Sequence, residues 1–307
     1  MQISWHYDGN QPIRVKTFLK QKRVSRRLLA AVRSDGGKLL INGNEGRKID
    51  KMVNGDLLAI NLPFEKISSF LVPSFVPISI LYEDRDYLVV DKPAGVASIP
   101  SALHREDSLV ARVLGYYQIR NYQGIGPHIA TRLDRDTSGI VLFAKHRYAH
   151  AMIDEQLKTH QIKKIYYAIL QGSMAAKHLL INLPIGRMPG SLVKRMVVEK
   201  GKDASTEYWK EAELQRYVLC KVQLHTGRTH QIRVHSAFLG MPLVGDTLYG
   251  GVNKLPLQRQ ALHCQQVTFF HPFLNKELTI TSKITADMQM FIESVTKKTD
   301  DSNRKMN

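Results

Sequence analysis

Near the start of the chain, apolar residues recur at helical spacing in two short stretches. Val15, Phe18 and Leu19 share one stripe, and Leu28, Leu29 and Val32 share another, so the spacing predicts two short helices. Ser25 is placed to cap the second, and Gly36-Gly37 to end it. The pattern then shortens to strand length over 38–42. A Gly-rich turn follows, and a second strand over 57–62 is launched by Asn54-Gly55-Asp56. From Pro63 to Pro77, three prolines among mixed polar residues predict a linker. Residues 80–91 are expected to form a strand, turn and strand ending in Lys92-Pro93-Ala94-Gly95. Beyond them strand-like runs (140–144, 166–170, 218–224, 266–270) alternate with helical stretches (108–117, 150–159), without a long-range repeat. The resulting division is a small unit over 1–65, a linker over 66–77, a large domain over 78–296 and a polar, loose tail over 297–307.

Charge narrows the class of partner. The chain of 307 residues carries 44 Lys and Arg against 27 Asp and Glu, a net charge of +17, which points to an acidic polymer or surface. Residues 9–34 contain no acid and eight bases: Arg14, Lys16, Lys20, Lys22, Arg23, Arg26, Arg27 and Arg33. Such a run is commonly only a solvated face; here it coincides with the two predicted helices, and nucleic acid is the leading partner. There is no run of 18 apolar residues, and no basic amphipathic stretch carries aromatic anchors, which argues against a membrane. Residues 1–10 lack the charged and apolar tandem of a signal peptide. Cys220 and Cys264 are too few for a disulfide framework and are not spaced as a ligand pair. A reducing, cytoplasmic setting is expected.

Two clusters carry candidate chemistry. In Thr131-Arg132-Leu133-Asp134-Arg135-Asp136-Thr137-Ser138-Gly139, ionic and small residues stand immediately before an apolar strand. Asp134 and Asp136 are two apart and on an extended segment would share a face, as a metal site requires. Arg132 and Arg135 oppose a divalent ion there. Thr137 and Ser138 are not near an evident base and are taken as turn residues supporting the aspartate. The second cluster, His225-Thr226-Gly227-Arg228-Thr229-His230-Gln231-Ile232-Arg233-Val234-His235, repeats histidine every five residues. That step turns about 140 degrees on a helix and changes face on a strand, so adjacent histidines do not converge on zinc. The cluster is expected to be a strand end followed by a helix capped by Thr229 and ended by Gly240, with Arg233 in its first turn.

Several motifs in order carry a resemblance. Arg-Leu-Asp-Arg-Asp-Thr-Ser-Gly at 132–139, Lys-Ile-Tyr at 164–166 and Gly-Arg-Thr-His-Gln-Ile-Arg-Val-His at 227–235 resemble the RluA/RluD family of pseudouridine synthases. So do Tyr82-Glu83-Asp84, Asp91-Lys92-Pro93-Ala94-Gly95, Lys202-Asp203-Ala204-Ser205-Thr206, Gly245-Asp246 with Tyr249-Gly250, Leu262-His263 and His271-Pro272, spanning about 78–290. Val-Ser-Arg-Arg at 24–27, Ile-Asn-Gly at 41–43 and Gly-Asp at 55–56 resemble the ribosomal protein S4-like RNA-binding domain.

These resemblances imply an α+β fold: a catalytic domain with a mixed, largely antiparallel central sheet flanked by helices, preceded by a small α/β RNA-binding domain. They imply Asp134 as the essential aspartate, Arg233 as its ion-pair partner and Tyr166 as the ring against the target base. Arg132 would fill the gap left in the RNA stack, and with Arg14, Arg23, Arg26, Arg27 and Arg228 it completes the expected RNA contacts. No cofactor and no metal are expected. The partner is RNA, large-subunit ribosomal RNA before transfer RNA, and a monomer suffices. Two departures stand out: Thr131 replaces the family's usual histidine, and Ile99-Pro100 replaces a His-Pro pair. The competing classes are a non-catalytic RNA-binding or assembly factor that keeps the fold, and a metal-dependent nuclease, which would need convergent carboxylates or histidines.

Overall fold

A computed structural model describes residues 1–100 and 107–304. The small N-terminal unit contains the two expected helices, Val15–Gln21 and Arg26–Ser34. Ser25 caps the second through its hydroxyl, which accepts the Leu28 amide at 3.0 Å. Val15, Phe18, Leu19, Leu28 and Val32 turn inward as their spacing requires, and Leu29 is half-buried. They pack on a four-stranded sheet in which Leu57–Asn61 lies between Lys38–Ile41 and Gln2–His6. The outer strand Gln2–His6 was not expected. Its alternation, with Ile3 buried and Trp5 half-buried, is only five residues long, and the strand forms only because the partner edge of Leu57–Asn61 is there to pair with it.

This unit is fastened to the rest by specific contacts. The Tyr148 hydroxyl donates to the Lys22 carbonyl at 2.6 Å, and the Trp5 ring meets Tyr148 edge-on at 5.7 Å. Residues 62–78 contain no strand or helix. Even so, Glu65 is held by His128 at 2.6 Å and by the Arg147 amide at 2.8 Å. At the other end, the helix Ala286–Arg304 runs through most of the stretch expected to be a loose tail; residues 305–307 fall outside the described ones. Met288, Phe291 and Val295 anchor that helix by packing with Ile169, Leu214 and Tyr217.

The large domain is built on a ten-stranded mixed sheet. Ser138–Ala144 and Tyr87–Lys92 pair antiparallel and are covered on both faces. Val89, Ile140 and Leu142 pack toward the helix Arg147–Lys158 through Ala149 and Ile153. Leu88, Val90, Val141 and Phe143 pack toward the helix Leu109–Ile119 through Leu109, Val113 and Tyr117. This two-sided burial explains why Ser138–Ala144 is apolar without alternation. The other half joins Lys163–Gln171, Tyr217–Leu224, Ser205–Leu214 and His178–Asn182 by antiparallel pairing. Among the described residues, no helix is long and apolar enough to cross a membrane.

The two halves meet at the one parallel contact among the described strand pairs, where Ser138 and Gly139 lie beside His263 and Cys264 of the strand Leu262–His271. Gly139 makes this approach possible. Its φ is +111°, and a Cβ there would stand 2.3 Å from the Cys264 carbonyl oxygen. Immediately before this seam the chain forms the loop 131–137. On the neighbouring strand the register shifts between Ile165 and Tyr166, a bulge of the kind that re-aims a side chain.

Candidate active site

The loop 131–137 is pinned at nearly every residue. Thr131 is buried, and its hydroxyl accepts the Leu142 amide at 3.0 Å, so the residue that departs from the family pattern serves as a backbone clamp. Ser98 bonds Leu133 twice, accepting its amide at 3.0 Å and donating to its carbonyl at 2.6 Å. The Lys92 amine, fully buried, donates to the carbonyls of Arg135, Pro93 and Val96. Burial pushes that amine down to about 7, with Asp136 and Asp134 pulling the other way; three carbonyl acceptors call for the three N–H bonds of an ammonium. Arg259, itself bidentate to Asp287, donates to the Asp136 carbonyl at 3.1 Å, and Gln260 donates to the Thr137 hydroxyl at 3.2 Å. A loop held this way keeps its functional group in place before any ligand arrives.

That group is the Asp134 carboxylate, which lines a cleft of about 1180 Å³ together with Arg132, Lys164, Tyr166, Arg228, His230 and Arg233. Arg233 sits in the first turn of the helix Gln231–Phe238, as expected. Its Nη1 donates to Asp134 Oδ2 at 3.1 Å, while Nε and Nη2 make a bidentate pair with Asp246 at 2.7 and 2.8 Å. Arg233 and Asp246 are 8% and 1% exposed at their side chains, against 27% for Asp134. Burial works against the guanidinium's charge, but the two carboxylates outweigh it and raise Arg233 above its ordinary value. The arginine is therefore a fixed cation shared by a structural aspartate and an accessible one.

The other anticipated groups divide. Tyr166 is buried in the floor of the same cleft; burial first, then neighbouring Cys264, raises its phenol well above the ordinary value, so the ring stays neutral. Arg132 is exposed at the mouth. Arg228 lines the cleft with its Nε committed to the Asp203 carbonyl at 2.8 Å. Arg14, Arg26 and Arg27 are exposed on the N-terminal unit, away from the cleft lining. Arg23 is also exposed but pairs with Glu155 of the large domain at 2.9 Å.

Asp134 and Asp136 do not act as a pair, since Asp136 is taken by Arg135 at 2.9 and 3.0 Å. The three histidines go separate ways. His225 meets Glu207 at 2.8 Å, His235 meets Thr206 and the Leu183 carbonyl, and His230 faces Asp134 and Tyr249. The expected cap is corrected: the helix begins after His230, which has a left-handed backbone (φ 59°) and makes no capping bond, whereas Thr229 stays exposed. Gln231 does the local work, its Oε1 accepting from the Arg228 amide and the Thr226 hydroxyl. Asp246, Lys92, Ser98 and Arg259 were given no role in the site beforehand, although Lys92 and Asp246 stand in motifs that carry the resemblance. Only the fold brings Lys92, Ser98 and Arg259 to the loop and Asp246 to Arg233.

With this geometry in view, the comparisons with known proteins bear directly on it. Residues 86–238, which contain Asp134, Tyr166 and Arg233, match the model of the RNA pseudouridylate synthase family. The chain is 39% identical over 279 residues to the uncharacterized RNA pseudouridine synthase YjbO of Bacillus subtilis, covering 91% of this chain and 98% of that one. It is 32% identical to ribosomal large subunit pseudouridine synthase D of Xanthomonas campestris, over 84% of this chain and 81% of the relative. Among solved structures, human RNA pseudouridylate synthase domain containing 1 has the same fold, with a TM-score of 0.56, 22% identity and coverage of 72% of this chain and 96% of the other.

Proposed function

Because the chain belongs to the RNA pseudouridine synthase family, we propose that it isomerises particular uridines of structured RNA through Asp134, with large-subunit ribosomal RNA as its substrate. The observation that carries this reading is the carboxylate of Asp134 in a basic cleft, held through a single oxygen by the buried Arg233. A carboxylate so held is fixed in direction, yet retains an oxygen for chemistry. In the reaction the bond from ribose C1′ to uracil N1 breaks, the ring turns within the cleft, and C1′ joins C5. N1 gains a proton and C5 loses one, so no oxidant, reductant or carried group is needed. Asp134 acts at the sugar or base carbon to let the first bond break.

The uridine must leave its stack before any of this, at a cost of a few kcal/mol. The Tyr166 ring provides a face for the flipped base, and Arg132 at the mouth can fill the vacated place, since a planar guanidinium both stacks and pairs with phosphate. The N-terminal unit acts as an S4-like RNA-binding domain, its exposed Arg14, Arg26 and Arg27 contacting phosphates. A ribosomal target is supported by the relative named as a large-subunit synthase; transfer RNA is the second substrate to test.

Ribosomal and transfer RNA transcripts incubated with the protein and EDTA, then mapped for pseudouridine, test the proposal. Product from the ribosomal transcript is expected, and Asp134→Asn is expected to abolish it while leaving RNA affinity within a few-fold. Turnover by Asp134→Asn would end the assignment of the aspartate. Binding without product by the wild type would favour a non-catalytic RNA-binding factor.

A further inference from the structure

His230 adopts a conformation that a side chain rarely takes, with φ 59° and ψ 21° at the start of the helix Gln231–Phe238. Gln231 enforces it. Its Oε1 accepts from the Arg228 amide and the Thr226 hydroxyl, and its Nε2 donates to the Ser205 carbonyl and the Thr206 hydroxyl. Backbone strain maintained by four bonds invites the question of what it positions. The imidazole is 10% exposed, and its Nε2 stands 3.8 Å from Asp134 Oδ2. On the other side Nδ1 is 2.9 Å from the Tyr249 hydroxyl.

Donor accounting favours one tautomer. The Tyr249 oxygen already accepts the Arg195 amide at 2.9 Å, so its own O–H is free to donate, and His230 Nδ1 is the acceptor within reach. An imidazole accepting at Nδ1 carries its proton on Nε2, on the side of Asp134. Tyr249 also lies under the Arg233 guanidinium at 5.1 Å and meets the His230 ring edge-on at 5.7 Å. One tyrosine thus seats both donors aimed at Asp134. Both address Oδ2, and Oδ1 has no hydrogen bond among the described residues.

We propose that His230 is a positioning residue which, oriented by Tyr249, joins Arg233 in dedicating Oδ2 of Asp134 to its donors and leaves Oδ1 as the oxygen that reacts. At 3.8 Å the His230 contact is longer than a hydrogen bond. The proposal requires it to shorten in the complex with substrate, as catalytic contacts commonly do. The proposal rests on the synthase reading above, and two kinds of measurement separate the fates of the two ideas.

The first needs no turnover. Nitrogen-15 NMR of histidine-labelled full-length protein, with His230 assigned by comparison with His230→Gln, is expected to show the Nε2–H tautomer. Tyr249→Phe is expected to remove that preference while the fold, by circular dichroism, is kept. An Nδ1–H tautomer in the wild type overturns the proposal whatever the protein does to RNA.

The second is kinetic. His230→Leu is expected to lower kcat about 100-fold, the scale of one lost donor at a charged centre, with KM changed less than threefold. His230→Gln, which can place an amide N–H near the Nε2 position, is expected to recover kcat to within about tenfold of wild type. Tyr249→Phe should lower kcat roughly tenfold, and combined with His230→Leu it should add nothing. Unchanged kcat in His230→Leu, a rise confined to KM, or independent effects in the double variant would each overturn it. Where His230→Leu fails to fold, Tyr249→Phe and His230→Gln decide. A wild type that makes no pseudouridine in either RNA removes the synthase reading and leaves the tautomer result standing by itself.

Discussion

On the helix Arg26–Ser34, Arg26 and Arg27 stand exposed with no carboxylate partner among the described residues, whereas Arg233 in the cleft is buried between two carboxylates. The same side chain is put to two physical uses. An exposed cation attracts RNA at long range, is screened by salt and tolerates substitution. A buried one contributes little long-range attraction but fixes the direction of its neighbour. The N-terminal unit should therefore govern affinity and the cleft should govern rate.

The largest effect is expected from Asp246→Asn. It removes the buried bidentate partner of Arg233, and breaking such a pair costs about 3 to 5 kcal/mol because the remaining charge is left under-compensated. Freed from Asp246, Arg233 can turn its fork on Asp134 and occupy both carboxylate oxygens. Urea unfolding should register the loss of stability, and kcat should fall roughly 100-fold with RNA affinity within a few-fold. A loss of affinity matching the loss of rate would show that the cleft also supplies the main binding energy and would break the comparison.

Arg14→Ala, Arg26→Ala and Arg27→Ala together, in the full chain, probe the opposite pole. Each lost phosphate contact flattens the slope of log affinity against log salt by somewhat under one unit, so the triple variant should lose about two to three. Its single-turnover rate at saturating RNA should stay within twofold of wild type. An unchanged slope would demote the N-terminal unit to a structural cap.

Affinity and rate were not equally legible in the sequence. The basic run and the two helical stripes were readable because they are local: eight bases without an acid, and apolar residues at spacing three and four. Asp134, Tyr166 and Arg233 were readable from motifs in order, and the fold brings all three to one cleft. The supports were not readable. Lys92 reaches the Arg135 carbonyl across 43 residues, Ser98 reaches Leu133 across 35, and Arg259 reaches the Asp136 carbonyl across 123. No periodicity encodes such distances; they follow from the seam at Gly139, which depends on a close approach invisible until both strands are placed. The misplaced cap is a local miss: Gln231 folds back on the Arg228 amide and the Thr226 hydroxyl, and the helix starts after His230, one residue later than a Thr229 cap requires.

The join between the two regions is itself pH-dependent. Burial works to raise the Glu65 carboxyl, but its hydrogen bond and charge contact with His128, and the Arg147 amide and guanidinium, outweigh it and lower Glu65 below its ordinary 4.5. A carboxyl depressed in the folded state contributes stability that is present above the unfolded value and lost as pH falls through the folded one. Stability by urea unfolding should therefore drop below about pH 4.5, and Glu65→Gln should show a shallower acid loss. Identical acid profiles would mean that the linker contact is not what acid breaks.

The smallest effect sharpens the comparison most finely, because Arg23 belongs by sequence to the RNA-facing run and by structure to the join. Its guanidinium pairs with Glu155 at 2.9 Å, with side chains 55% and 45% exposed, so the pair contributes under about 1 kcal/mol. Arg23→Ala should barely move the unfolding midpoint. Because Glu155 already compensates the charge, it should also flatten the salt dependence of RNA binding by less than half of what Arg26→Ala does. Equal slopes for the two variants would show that RNA draws Arg23 away from Glu155. The join would then loosen on binding, and the division between a region for affinity and a region for rate would hold only for the free protein.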